Sequence, residues 1–115
     1  MAASVDLTIE QGSDWALTFP VLDSEDEPVD VSAWSARAQV RARAEDATIL
    51  HDWTSTSPTG GIKLGLQGIT LSVTAAQSSA WTWRRGVWDL ELVDPDGVVT
   101  RIAKGRVHVD PEVTR

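Results

Sequence analysis

The stretch VWDLELVDPDGVVTRI, residues 87–102, indicates the fold class of this chain more clearly than any other segment. In its first half, apolar residues alternate with acidic ones, which is the period-two pattern of a half-buried strand. Asp, Pro and Gly follow in residues 94–97, a combination typical of tight turns. The stretch therefore predicts a β-hairpin with strands at 87–93 and 98–102.

Period-two alternation recurs along most of the chain. It begins with Val5, Leu7 and Ile9, which are separated by polar residues, and continues at 15–21, where Pro20 indicates an edge or the end of a strand. The remaining strands are predicted at 35–43, 48–53, 62–66, 69–73 and 106–109. Together these segments predict about nine short strands.

The segments between the strands have the composition of turns and loops. Residues 23–28 are acidic and are interpreted as an exposed turn, and residues 54–61 combine Ser, Thr, Pro and Gly as flexible loops do. A capping box predicts one short helical turn near 74–80. Residues 110–115 are expected to form a polar tail.

Many short strands with almost no helix indicate an all-β protein. A single β-sandwich domain over residues 1–115, built from about 7–9 short antiparallel strands, fits the pattern better than any alternation of strands with helices. A small barrel is the alternative architecture.

Composition narrows the classes of protein that fit. Hydrophobic residues make up 42% of the chain and charged residues 23%, as in globular domains. Without cysteine, neither disulfides nor a thiolate metal site can form. The net charge of −7 repels phosphate backbones, which argues against nucleic acid as a partner. No apolar run is long enough for a membrane helix and the first residues do not resemble a signal peptide, so we expect synthesis in a cytoplasm and no membrane partner.

Few residues are suited to catalysis. The only imidazoles are those of His51 and His108 and there is no thiol, so a nucleophile paired with a base is not expected. A calcium loop at 94–97 is an alternative to the tight turn, but the segment lacks the length and the distal Glu of an EF-hand. Gly60 and Gly61 precede no helix start that could cradle a phosphate. We expect no enzymatic activity, no metal and no cofactor.

Tryptophan and arginine are the residues that indicate a binding function. The chain has six Trp, and the segment WTWRR at 81–85 places two of them beside two cations. Trp and Arg are enriched at the centres of protein interfaces, so Trp83, Arg84 and Arg85 form the first candidate contact site. The alternative is that Trp81 and Trp83 pack on the core of the domain itself.

Residues 35–43 provide the second candidate contact site. Strict alternation gives this strand one small apolar face and one polar face. The apolar face comprises Ala36, Ala38, Val40 and Ala42, and the polar face comprises Arg37, Gln39, Arg41 and Arg43. Bulky groups such as the indoles are expected to cover the alanines. The arginines Arg37, Arg41 and Arg43 are then exposed and available to a partner.

Three parts of the chain resemble small structural proteins of tailed bacteriophages, including the N-terminal domain of the baseplate upper protein. They are GSDW at 12–15, PVDVSAWSARAQVR at 28–41, and the closing GVWDLEL at 86–92 with GRVHV at 105–109. The resemblance implies an immunoglobulin-like sandwich that serves as a minor tail, tail-tip or baseplate component. It also implies a place in the virion, in multiple copies, after synthesis and assembly in the host bacterial cytoplasm.

Several binding roles fit such a protein. The chain has no long C-terminal heptad extension like that of baseplate upper proteins, so a free-standing minor tail protein is expected rather than a fibre-holding adaptor. The first alternative is a capsid decoration or head–tail accessory protein, and the second is a module that binds host surface glycans. The expected partners are therefore other virion subunits or a host glycan.

Overall fold

Residues 2–114, which the computed structural model describes, form nine strands and one short helix. The strands are β1 (Ala3–Ser4), β2 (Leu7–Glu10), β3 (Trp15–Phe19), β4 (Ser35–Arg41), β5 (His51–Thr54), β6 (Ile62–Gly65), β7 (Gly68–Val73), β8 (Arg85–Val93) and β9 (Val99–Asp110), and the helix α1 is Ala75–Ser79. No helix within this described part of the chain is long and apolar enough to cross a membrane.

The strands form two sheets with the division of an immunoglobulin-like sandwich. One sheet has the order β1–β9–β8–β4–β5, with β2 also paired to β9, and the other has the order β3–β7–β6. In immunoglobulin domains, strands B, E and D share one sheet and strands C, F and G share the other. Here β3, β7 and β6 occupy the first set of positions, and β4, β8 and β9 occupy the second. The predicted all-β, immunoglobulin-like sandwich is confirmed.

The N-terminal strands depart from the predicted antiparallel arrangement. β1 and β2 run parallel to β9, with Leu7 opposite Val107 and Ile9 opposite Val109, whereas the other strand pairs are antiparallel. Gly105 makes this approach feasible, because a side chain there would collide with the carbonyl oxygen of Val5. The parallel register buries Leu7 and Ile9 and so adds their side chains to the core.

The core lies between the two sheets. Along β8 every second residue from 86 to 92 is buried, as the sequence alternation predicts. Trp53 is fully buried, and its indole Nε1 donates a 3.0 Å hydrogen bond to the carbonyl oxygen of Ser72 on the opposite sheet. Ala38 lies between Trp53 and Leu90 on the neighbouring strands, so its small side chain leaves room for the indole.

The largest errors in the predicted strand boundaries concern three segments. β4 ends at Arg41 rather than at residue 43, because the chain turns there and the Arg41 guanidinium donates to the carbonyl oxygen of Asp46 at 2.6 Å; Ala42 is consequently exposed. The strands predicted at 98–102 and 106–109 are one continuous strand, β9, which contains a bulge at Ile102 instead of a loop. The strand predicted at 48–53 instead spans His51–Thr54, which is β5.

The predicted helical turn is confirmed, together with its capping box. The Thr74 hydroxyl accepts a 3.1 Å hydrogen bond from the N–H of Gln77, and the Gln77 side-chain oxygen accepts one of 2.9 Å from the N–H of Thr74. These two bonds satisfy backbone donors that the start of a helix otherwise leaves open.

Hydrogen bonds fix both the predicted loop and the predicted tail to the rest of the domain. The loop at 54–61 is closed by a 2.9 Å bond from the N–H of Thr54, the last residue of β5, to the carbonyl oxygen of Gly60. In the tail predicted at 110–115, Asp110 belongs to β9, and the N–H of Glu112 donates to the side-chain oxygen of Gln11 at 3.2 Å. Arg115 lies outside the described residues.

Candidate protein-binding surface

The outward side of the six-stranded sheet is rich in cations. Side chains alternate along a strand, so the neighbours of buried core residues point to solvent. We call this surface the basic face, because its strands carry six of the chain's ten Lys and Arg residues but only five of its seventeen Asp and Glu residues. The cations are Arg37, Arg41, Arg85, Arg101, Lys104 and Arg106, and the carboxylates are Glu10, Asp52, Asp89, Glu91 and Asp110. A protein with a net charge of −7 thus places more than half of its cations on one sheet face.

Two ion pairs cross the basic face. Arg37 Nε lies 2.8 Å from Glu91 Oε1, and Arg101 Nε lies 3.4 Å from Asp89 Oδ2. The Arg37 and Arg101 side chains are 58% and 52% exposed, and such exposed pairs contribute about 0–1 kcal/mol to stability. The pairs therefore order the side chains and neutralise the two carboxylates of β8 without adding much to the stability of the fold.

The cations farther along the face lack acidic partners. Arg41 on β4 and Arg106 on β9 flank Val87 of β8. The Arg41 guanidinium donates to the carbonyl oxygen of Asp46 and to the side-chain oxygen of Gln39 but forms no ion pair within residues 2–114. Within residues 2–114, the side chains of Lys104 and Arg106 form neither an ion pair nor a hydrogen bond. These charges are consequently available to a partner.

A shallow groove of about 620 Å³ crosses this part of the basic face. Its charged lining comprises the cations Arg41, Arg101, Lys104 and Arg106 and the carboxylates Asp89 and Glu91. Guanidinium and ammonium groups bind carboxylates through charge-assisted hydrogen bonds. The three cations that form no ion pair within the described residues, Arg41, Lys104 and Arg106, therefore suit this groove to an acidic segment.

Five aromatic rings form a connected cluster at one end of the sandwich, which we call the aromatic cluster. The ring centroids of Trp15 and Trp53 are 6.4 Å apart, His51 lies 4.7 Å from Trp53 and 5.0 Å from Trp81, and Trp81 lies 4.7 Å from Trp83. Such tilted and edge-on pairs contribute about 0.5–1.5 kcal/mol each beyond burial. Trp83 therefore takes part in the packing of the domain itself.

Buried and exposed side chains do not alternate strictly in the segment 83–85. Trp83 is half-buried and its indole Nε1 is buried without a hydrogen-bond partner among residues 2–114, whereas Arg84 and Arg85 are both exposed. β8 begins only at Arg85, which explains why strand periodicity fails before it. Of this predicted contact site, Arg85 joins the basic face and Trp83 does not.

His51 is held between two indoles of the aromatic cluster. Burial lowers the pKa of its imidazole below the ordinary value of 6.5, and the Asp52 carboxylate opposes this effect in part. In the part of the chain that the structure describes, no three His, Asp or Glu side chains are grouped so that they could hold a metal ion.

The structure brings the two predicted contact sites together only in part. Arg37, Arg41 and Arg85 share the basic face, while Arg43 lies beyond the end of β4. Sequence reasoning missed the three cations of β9: Arg101, Lys104 and Arg106. They do not follow a period of two, because the bulge in β9 inserts an extra residue between the first and the second. Whether the predicted residues contact a partner stays a prediction.

Comparisons with known proteins assign the chain to no family. No family model matches it, and no curated protein matches it. Among solved structures, extracellular domains 3-5 of Drosophila OTK align with 90% of this chain at 19% sequence identity and a TM-score of 0.43. This chain spans 32% of that one, about a third of its length.

Proposed function

We propose that this chain is a non-enzymatic structural domain of a tailed-phage virion, a minor tail, tail-tip or baseplate component that binds neighbouring subunits through its basic face. The virion assignment rests on the resemblance at residues 12–15, 28–41, 86–92 and 105–109. The binding role rests on one observation, the concentration of six of ten cations but only five of seventeen carboxylates on one sheet face of an acidic protein. A capsid decoration protein would use the same surface.

The dimensions of the basic face suit a protein partner. Five strands lie side by side across the sheet, which gives a width of roughly 24 Å at about 4.8 Å per strand, and the nine residues of β8 extend about 30 Å. The product, about 700 Å², approaches the ~800 Å² per partner of a standard interface. A folded subunit covering the whole face would therefore form a contact of ordinary size.

The composition of virus particles tests this function. Particles purified from the phage or prophage that encodes the chain are analysed by mass spectrometry, and particles from a deletion of the gene are examined by electron microscopy. We expect the chain at a fixed ratio to known tail or capsid subunits, and defective tails or unstable heads in the deletion. Complete particles that lack the chain would refute the proposal.

A further inference from the structure

We propose that the basic face of one copy of this chain binds an acidic turn of a second copy, so that copies associate head to tail. The inference rests on the proposed function, because it names a partner for the same surface. It arises from a second charged feature at the opposite end of the domain, the connection between β3 and β4.

This connection carries only negative charges. The acidic turn comprises residues 23–30 and contains Asp23, Glu25, Asp26, Glu27 and Asp30, all of them exposed. Between residues 20 and 34 there is no Lys or Arg. The turn is therefore a concentrated negative charge opposite in sign to the basic face.

The acidic turn is held in one shape by its own hydrogen bonds. The N–H of Val29 donates to the carbonyl oxygen of Val21 at 2.9 Å, which closes the base of the turn. The Asp23 carboxylate accepts bonds from the N–H groups of Glu25 and Glu27, at 2.8 and 3.0 Å. A segment that is already ordered loses less entropy when it binds. The outer carboxylates of this turn are thus presented to a partner in a fixed arrangement.

The charges that remain unpaired are complementary in number and position. The carboxylates of Glu25, Asp26 and Glu27 form no ion pair within residues 2–114. The groove on the basic face is lined by three cations that form no ion pair in the described part of the chain, Arg41, Lys104 and Arg106. Its two carboxylates, Asp89 and Glu91, are already paired with Arg101 and Arg37. A narrow turn can enter an open groove of about 620 Å³, where each carboxylate meets a cation.

Within residues 2–114 of one copy, the acidic turn forms no ion pair with the groove cations. The turn precedes β4, which starts at Ser35, whereas Arg41 lies at the other end of that strand. At about 3.3 Å per residue, roughly 20 Å of strand separates the two ends. The turn of a second copy has no such constraint. In the head-to-tail arrangement each copy uses its turn and its face on two different neighbours, so the association is heterologous and generates a ring or a filament of copies.

Charge reversals on the two surfaces test the inference. The face variant carries Lys104→Glu and Arg106→Glu, and the turn variant carries Glu25→Lys and Glu27→Lys. Lys63→Glu, an exposed reversal on the three-stranded sheet, is the control. Circular dichroism establishes that each variant is folded. Self-association is measured by sedimentation equilibrium over a range of protein concentrations at low ionic strength, because salt screens exposed charges.

We expect the wild type and the control to associate to the same extent and each double variant to associate at least about tenfold more weakly. An equimolar mixture of the two variants should regain association, because each turn then meets a face of opposite charge. Each double reversal changes the net charge of −7 by four units, so both variants remain net negative and general attraction does not explain the recovery.

Three results would overturn the inference: a monomeric wild type at low ionic strength, double variants that associate like the wild type, or a mixture that stays monomeric. Failure of the proposed function is a separate result. In that case the chain is missing from virus particles, although the reversals still control self-association.

Discussion

The indole Nε1 of Trp88 donates a 2.8 Å hydrogen bond to the carbonyl oxygen of Val5, 83 residues away in the chain. This bond attaches the N-terminal segment to the six-stranded sheet. Trp88→Phe removes the indole donor, so the carbonyl oxygen of Val5 loses this hydrogen bond. We expect a loss of about 1–3 kcal/mol in the free energy of unfolding, measured with denaturant.

Trp83→Phe is the matched control for this substitution. It removes the same atoms from an indole whose Nε1 is buried without a partner among residues 2–114, so no hydrogen bond is lost. We expect a smaller loss of stability than for Trp88→Phe, or a gain. Equal losses for the two variants would show that the bond to Val5 contributes nothing measurable.

Gly105→Ala should separate the N-terminal strands from β9. The added methyl group collides with the carbonyl oxygen of Val5, and backbone atoms cannot move aside as a flexible side chain can. We expect a loss of about 1–3 kcal/mol and faster amide hydrogen exchange at residues 7–10. Unchanged exchange in this segment would contradict the structural role assigned to Gly105.

The stability of the domain should fall on acidification because of His51. Burial lowers the pKa of this imidazole in the folded state, so the unfolded chain binds more protons between the folded pKa and about 6.5. Stability is therefore complete above about pH 6.5 and declines as the pH falls toward the folded pKa.

Unfolding at a series of pH values measures this dependence. His51→Phe keeps a ring in the aromatic cluster and should reduce the decline, whereas His108→Gln, at an exposed position of β9, should not. A wild-type decline that persists unchanged in His51→Phe would assign the effect to other groups.

The turn between β8 and β9 should be independent of metal. One carboxylate oxygen of Asp94 accepts 2.9 Å bonds from the N–H groups of Asp96 and Val98, and Gly97 has a φ of 85°. These bonds explain the presence of Asp94 in this β8–β9 turn without a cation. Asp94→Ala should lower the free energy of unfolding by about 1 kcal/mol, while a chelator should leave the melting temperature unchanged. A drop in melting temperature that calcium reverses would reveal a metal site.

Patterns among residues close in sequence predicted the strands in which apolar and polar residues alternate regularly. They could not predict the strand pairings between residues far apart in the chain. The hairpin of β8 and β9 and the capped turn at Thr74 follow from residues close in sequence. The parallel pairing of β2 with β9 joins the two ends of the chain, and no local pattern encodes it. The end of β4 was missed for a different reason, because the contact between Arg41 and Asp46 is local but alternation of apolar and polar residues does not reveal it.

The candidate binding surface was predictable where it follows strand periodicity. Arg37 and Arg41 are on the outward face of β4 because their neighbours are buried. The cations of β9 escaped prediction, since the bulge at Ile102 changes their spacing and only the sheet order places them beside β8. Trp83 was assigned to the contact site because Trp is enriched at interfaces, whereas in the structure Trp81 and Trp83 pack against the core of the domain, as the alternative stated.

The abundance of variant chains in purified virus particles tests most directly whether the basic face is a subunit contact. A deletion strain is supplied with the wild type, with Lys104→Glu and Arg106→Glu together, or with the Lys63→Glu control. We predict that the face variant is folded but at least about tenfold depleted from particles, as expected for loss of contacts worth about 2 kcal/mol, while the control is present at the wild-type level. Equal abundance of the folded face variant and the control would contradict the proposed interface.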